Sequence, residues 1–128
     1  MKKIIFTDKA PASIGPYSQA VLVGNTLYTS GQIALDPVTM ELVMETIELE
    51  TTQIMNNLKA VLKAANMDFS NVVKSTIFIT DMNDFARINS IYASYFIAEF
   101  APARETVQVA RLPLDVNIEI SCIALANG

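Results

Sequence analysis

Two charged residues near the end of the chain have side chains and positions suited to chemistry on a small acid. Arg104, one of only three arginines, opens a predicted strand directly after residues 101–103. Its planar guanidinium can hold a carboxylate through two parallel hydrogen bonds. Glu119 lies in the middle of another predicted strand, between Ile118 and Ile120, where a carboxylate could orient a water molecule. Each residue also has an ordinary interpretation, a surface ion pair for Arg104 and a solvent-facing side chain for Glu119.

The two residues can be connected if the last two predicted strands form a hairpin. A register that sets Thr106 opposite Glu119 would point both side chains, together with that of Arg104, from one face of the sheet. Arg111 would then face the other way. A cation that holds an anion, beside a carboxylate that orients water, would form a small hydrolytic pocket. Ser30-Gly31, at a strand end, could add a hydroxyl and an unhindered backbone N–H for an anion.

Composition removes several other kinds of site. The chain has no His, which excludes Ser-His-Asp and Cys-His triads and His-ligated zinc, iron or copper. The single cysteine, Cys122, cannot form an intramolecular disulfide or a CxxC pair, and its place on the apolar face of a predicted strand indicates a core thiol. The four glycines form no P-loop or GxGxxG motif. We therefore predict a mechanism without metal or organic cofactor.

The charge and hydropathy of the chain argue against nucleic-acid and membrane partners. Nine Lys and Arg against 13 Asp and Glu give a net charge of −4, which argues against a nucleic-acid partner. No apolar run approaches the ~18 residues needed to cross a bilayer, and Asp8 and Lys9 end the apolar start of the chain too early for a signal peptide. The 128 residues predict one domain, 1–128, that is soluble and cytoplasmic with no membrane partner.

The pattern along the chain predicts the element order β-β-β-α-β-α-β-β. Gly24-Asn25 between two apolar runs marks a hairpin, and apolar residues at helical spacing between 46 and 65 mark an amphipathic helix. A second helix, capped by Asp81 or Asn83, would bury Phe85, Ile88, Tyr92, Tyr95 and Phe96 and stop at Ala101-Pro102. The predicted strands cover residues 2–6, 20–24, 26–33, 72–80, 104–112 and 116–125.

These elements predict an α+β fold, with one mixed sheet and both helices on one face. The strands are rich in Val, Ile and Leu, so the second face of the sheet should also be apolar. Because the chain has no further helix to cover that face, we expect other copies of the chain to cover it.

Four segments together resemble the Rid family of reactive-intermediate deaminases, also called YjgF-like proteins, and in particular its RidA type. They are IGPYSQA at 14–20, YTSGQIALDP at 28–37, VVKSTIFITDMNDFARIN at 72–89 and PARETVQVARLPLDVNIEI at 102–120. The match runs in order along essentially the whole chain. It implies a chorismate-mutase-like fold assembled as a homotrimer, with three ligand pockets between adjacent subunits.

RidA-type members hydrolyse enamines and imines such as 2-aminoacrylate and 2-aminocrotonate, which pyridoxal-phosphate dehydratases release, to the 2-keto acid and ammonium. By position, the resemblance implies that Arg104 binds the substrate carboxylate and that Glu119 positions the water. Further substrate contacts fall on Tyr17, Ser30, Gly31, Asn89 and Thr106. Thr106 stands where many RidA-type members have a cysteine, and residues 40–44 replace a segment that usually contains glycine.

Two alternatives stay open at this point. The same pocket could serve a non-catalytic trimer that binds 2-keto acids or similar metabolites for regulation. A ribonuclease or inhibitor of translation, an activity attached to some relatives, is disfavoured by the net charge of −4 and the absence of His.

Overall fold

The computed structural model describes residues 1–127, and its eight main elements follow the predicted order. A single six-stranded sheet has the strand order β1-β2-β3-β6-β4-β5, antiparallel except for the parallel pair β4–β5. The α+β class and the mixed sheet are therefore confirmed. The elements are β1 Lys2–Ile5, β2 Ala20–Val23, β3 Thr26–Thr29, α1 Ile47–Ala64, β4 Val72–Ile79, α2 Phe85–Ala93, β5 Ala103–Gln108 and β6 Ile118–Leu125.

Helix α1 forms where the apolar spacing predicted it. Thr46 caps its first turn, since the threonine side chain accepts a hydrogen bond from the Leu49 N–H. Ile54, Leu58, Val61 and Leu62 of the predicted stripe are fully buried, whereas Ala65, just past the end of α1, is partly buried. Burial of this stripe is what holds α1 across the face of the sheet, because most helical stability in proteins comes from such packing.

Helix α2 is shorter than predicted. Asp81 caps a short 3₁₀ turn at Met82–Asp84, and the α-helix then runs only to Ala93. Tyr95 and Phe96, expected on its buried stripe, lie beyond its end and pack edge-on against Phe69, with ring centroids 5.4 and 5.3 Å apart. The apolar spacing was correct as a signal of burial and wrong as a signal of helix length, because an aromatic cluster supplies the same burial to an irregular segment.

The predicted hairpin of the last two strands is wrong. Strand β4 lies between β5 and β6, pairing in parallel with β5 and antiparallel with β6. After β5 the Val109 N–H still bonds to the Ile79 carbonyl, and the chain then crosses the end of β4 through a 3₁₀ turn at Pro113–Asp115. That nine-residue connection, 109–117, is too long for a tight hairpin and long enough to pass a strand.

Both helices pack on one face of the sheet, as predicted, and the other face is open. Ile4, Val21, Tyr28 and Ile123 form a row of paired residues across four strands of that open face. Ile4 and Tyr28 are exposed there, and the other two are only partly covered. The prediction of an uncovered face is therefore confirmed for residues 1–127, and the face is apolar along this row.

Candidate active site

Arg104 is held by α2 at the edge of the sheet. Its guanidinium carbon lies 5.5 Å from the ring centroid of Phe85 and 5.1 Å from that of Tyr92, distances at which a cation is attracted to an aromatic face. One guanidinium nitrogen donates to the Asn89 Oδ1 at 2.6 Å. Tyr92 is itself fixed by a 2.9 Å hydrogen bond from its hydroxyl to Ser75. These contacts orient an exposed guanidinium without neutralising it.

Arg104 differs in this respect from the other two arginines. Arg87 pairs with Glu48 at 2.7 Å, and Arg111 pairs with Asp115 at 2.5 Å. Within residues 1–127, Arg104 forms no ion pair. The ordinary interpretation of Arg104 as part of a surface ion pair is therefore wrong, and a fixed, uncompensated cation faces solvent.

A β-bulge shapes the second part of the site. Tyr28 pairs with Ile123, and Gln32 pairs with Ile120, so four steps along one strand oppose three along the other, which leaves one extra residue. The Thr29 hydroxyl fills the gap in the ladder by accepting from the Cys122 N–H at 2.9 Å. Bulges of this kind bend a strand and redirect its side chains and N–H groups. Among the described residues the Gly31 N–H donates to no other group, so it is free to bind an anion.

Glu119 lies directly against this bulge. A Cβ atom on Gly31 would come within 2.5 Å of the Glu119 Oε2 and 2.6 Å of its Cδ, so only glycine leaves room for the carboxylate. Within the described part of the chain, the Glu119 carboxylate has no ion pair and no hydrogen bond, and burial raises the pKa of this carboxyl. A partly buried carboxylate without a partner is the kind of group that can exchange a proton with a substrate or water.

Glu119 and Gly31 line a cavity of about 510 Å³, which also contains Tyr17 and Ser30. The Ser30 hydroxyl donates to the Ser18 carbonyl at 2.6 Å, which leaves its oxygen able to accept or to reorient. Buried Gln19 supports the wall by four hydrogen bonds to the backbone of residues 7, 10 and 11. The remaining walls are mainly apolar, supplied by Ile14, Ile33, Leu35, Pro113 and Leu114.

Thr106 lies with Arg104 in a second, more open cavity of about 400 Å³ that is completed by Met82 and Phe85. Its hydroxyl oxygen is buried and has no hydrogen-bond partner among residues 1–127. Cys122, by contrast, is the buried core thiol that the sequence predicted, and burial raises its pKa to about 11.

The structure separates the predicted site residues into two groups. Arg104 pairs with buried Ser75 on the helix face of the sheet, whereas Glu119 pairs with Phe78 on the open face. The predicted register that placed Arg104, Thr106 and Glu119 on one face is therefore wrong, because β4 separates the two strands. Asn89 and Thr106 stay with Arg104, and Tyr17, Ser30 and Gly31 stay with Glu119.

Sequence reasoning missed the residues that present these groups. Phe85 and Tyr92 were expected only as part of a buried helix stripe, yet their rings hold the Arg104 side chain. The sequence signal was their spacing from Asn89, four and three residues away on one face of α2. Leu114 had no signal beyond its place in a predicted turn.

The chain is similar to known proteins over nearly its whole length. Residues 7–126 match the family model described as Endoribonuclease L-PSP. A RutC family protein of Pyrococcus horikoshii is 52% identical over 97% of this chain and 98% of that protein, and the bovine 2-iminobutanoate/2-iminopropanoate deaminase is 50% identical over 98% and 90%. The crystal structure of Escherichia coli TdcF with bound serine superposes with a TM-score of 0.92 at 44% identity, covering 98% of this chain and 99% of that one.

The chain therefore belongs to the Rid, or YjgF-like, family, and its fold is that of the family. The resemblance seen in the sequence is confirmed. No helix of residues 1–127 is both long and apolar enough to cross a membrane.

Proposed function

We propose that the protein is an imine deaminase that converts 2-aminoacrylate and 2-aminocrotonate, through their 2-imino tautomers, to the 2-keto acid and ammonia. Water adds to the imine carbon and the C–N bond breaks. The water oxygen becomes the carbonyl oxygen, and its two protons leave on the nitrogen as NH₃, so the reaction consumes no cofactor. The name of the bovine relative supports this reaction class.

The observation that carries the proposal is that Arg104 and Glu119 have opposite charges and each lacks an ion-pair partner among residues 1–127. One part of the site holds a fixed cation without a carboxylate partner, and the other holds a carboxylate without a cation. The two lie on opposite faces of one chain, so a single subunit cannot bring them to one substrate. We propose a homotrimer in which Arg104 of one subunit meets the Glu119 cavity of the next, with the open apolar face of the sheet buried between copies.

Arg104 binds the substrate carboxylate in this proposal. One guanidinium nitrogen of Arg104 donates to the Asn89 Oδ1 at 2.6 Å. The remaining N–H groups of the guanidinium are sufficient for a bidentate pair with the substrate carboxylate. The Gly31 N–H supplies a further donor to the same anion, and the Ser30 hydroxyl supplies another once it turns away from the Ser18 carbonyl. Fixing a flat, conjugated substrate at its carboxylate places C2 at a defined distance from Glu119.

Glu119 orients the attacking water, accepts a proton from that water and transfers the proton to the substrate nitrogen. Burial raises the pKa of the Glu119 carboxyl, which makes the carboxylate a better proton acceptor than an exposed glutamate. Imines already hydrolyse in water, so a general-base contribution of roughly 10²–10⁴ is sufficient for a useful enzyme.

The test couples the purified protein to a threonine or serine dehydratase and follows the absorbance of the transient enamine and imine. We expect the decay to accelerate in proportion to added protein. Arg104→Ala should slow it by about 10²-fold, since two charge-assisted hydrogen bonds of about 1.5 kcal/mol each are lost. Arg87→Ala is the matched control, because Arg87 faces Glu48 on α1 and lies in neither cavity.

Three outcomes are informative. Loss of activity in Arg104→Ala, with Arg87→Ala unaffected and light scattering showing three subunits in both, supports the proposal. An equally active Arg104→Ala protein contradicts the assigned carboxylate site. A folded trimer that accelerates neither substrate, yet binds 2-keto acids through Arg104, identifies the non-catalytic metabolite-binding protein instead.

A further inference from the structure

A strained turn places an exposed leucine in the wall of the cavity that Glu119 also lines. Leu114 and Asp115 have φ angles of 56° and 55°, in the left-handed region that costs a residue such as leucine roughly 1–2 kcal/mol and that aspartate adopts more readily. Asp115 is held by its ion pair with Arg111. Leu112 and Val116 anchor the two ends of the turn in the interior. Strain of this kind persists only where the surrounding structure fixes it, and it concentrates at functional positions.

The main structural effect of the strained turn is to place the Leu114 side chain in the wall of the cavity. Leu114 is 60% exposed, so it contributes little to the core, yet it lines the same cavity as Glu119 and Gly31. Asp115, the other residue of this turn with a positive φ, is not part of the cavity wall. The backbone is therefore bent at a cost in stability to present an apolar side chain where a substrate would lie.

The lining of the cavity indicates what that side chain contacts. The cavity measures about 510 Å³ on one chain, and in the proposed trimer the neighbouring subunit that brings Arg104 occupies part of it. With the carboxylate held by Arg104 and C2 facing Glu119, the remaining part of the substrate is its side chain. The walls available to it are apolar, and they include Ile14 and Leu114, both exposed.

From this we infer that Leu114 is a specificity-determining residue, and that the protein prefers 2-imino acids with apolar side chains of two or more carbons over the three-carbon 2-iminopropanoate. The inference rests on the proposed function and on the site between subunits. Each substrate methylene placed against the Leu114 wall should raise kcat/KM by about fourfold, the factor for one methylene removed from water.

Leu114→Gly is the decisive variant, because glycine adopts the left-handed conformation without strain while it removes the wall. Asn66→Gly is the matched control: Asn66 has a φ of 58° at the end of α1 and lies in neither cavity. Both variants should keep the wild-type trimer and a melting temperature within about 2 °C of wild type or higher, because relief of strain and the added freedom of the unfolded chain act in opposite directions.

The experiment measures kcat/KM for a series of imino acids generated in the assay, with side chains from methyl to isobutyl. It also measures the affinity of the trimer for the matching 2-keto acids by calorimetry. We expect wild type and Asn66→Gly to show the fourfold gain per methylene, and Leu114→Gly to fall to about twofold or less. The calorimetric series tests Leu114 even if no substrate is turned over.

Unchanged selectivity in an active Leu114→Gly trimer would overturn the inference and leave the proposed function intact. Loss of the trimer in Leu114→Gly alone would also overturn it, since Leu114 would then belong to the contact between copies. Wild-type protein that hydrolyses no imine would instead reject the proposed function.

Discussion

Gly31→Ala adds one methyl group next to Glu119, and it should displace the Glu119 carboxylate without destabilising the fold. A Cβ atom at this position would lie 2.5 Å from the Glu119 Oε2, whereas ordinary contact begins near 3.4 Å. The carboxylate must therefore retreat by about 3.4 − 2.5 = 0.9 Å. The atoms in the way are Oε2, Cδ and Cγ of the Glu119 side chain, with Cγ at 2.8 Å, so we expect this flexible side chain to rotate away and the backbone to stay.

The expected effect of Gly31→Ala is on kcat. A misplacement of about 1 Å in an active site can cost about 10²-fold in rate, and this is the loss we expect for imine hydrolysis. Stability should stay close to wild type or rise slightly, because the φ angle of Gly31 lies outside the left-handed region and alanine restricts the unfolded chain more than glycine does.

Gly24→Ala provides the opposite case. Gly24 has a φ of 59° and nothing within 4 Å of a Cβ atom, so alanine would meet backbone strain and no steric contact. We expect a loss of about 1 kcal/mol in the free energy of unfolding and unchanged kcat. The assay is the coupled dehydratase decay, paired with urea unfolding of both variants. Full activity in Gly31→Ala, or a stability loss there equal to that of Gly24→Ala, would refute the reasoning.

Three further predictions concern groups whose surroundings differ from water. Burial raises the pKa of the Glu119 carboxyl above its ordinary 4.5, so the folded protein favours the protonated form, and the stability that this form contributes is lost as pH rises through the raised pKa. Glu119→Gln cannot ionise, so it should be more stable than wild type in urea unfolding at pH 7 and lose that advantage below pH 4.5. The same variant should lose activity. The pKa of the Cys122 thiol is raised from 9.0 to about 11, so a thiol reagent at pH 8 should label the folded protein at least 100-fold more slowly than the urea-unfolded chain, and rapid labelling of the native state would contradict the buried position. Glu50 is fully buried and accepts from the N–H groups of Asn117 and Ile118 and from the Asn117 amide, so Glu50→Ala should lower the free energy of unfolding by about 3 kcal/mol or more, while Glu45→Ala at an exposed position should change it little.

The elements were predictable where a local signal decided them. Gly24-Asn25 gave the hairpin of β2 and β3, and the apolar spacing after Thr46 gave α1 within a residue at each end. The open apolar face followed from counting elements against the strands that needed cover. Each of these depends on residues close together in the sequence or on simple totals.

The arrangement of the site was not predictable in the same way. Nothing in the residues of β5 and β6 shows that β4 lies between them, because strand order is set by packing of the whole chain and neighbouring strands in sequence pair only about two-thirds of the time. The bulge at residues 29–31 is equally hidden, since Thr29 replaces a backbone partner with a side-chain hydroxyl. Arg104 and Glu119 were identified by residue type, and their opposite faces came only from the structure.

The place of β6 in the sheet has a consequence for how the chain folds. Among residues 1–127 it comes after the other five strands in the sequence, yet within this range it is the only strand that joins β1–β3 to β4–β5. Until its residues have left the ribosome, the chain can form a three-stranded piece and a two-stranded piece with unpaired edges, and neither α1 nor α2 has a complete sheet to cover. Such edges are exposed to aggregation, and without β6 the strands would form two separate sheets rather than a shortened fold.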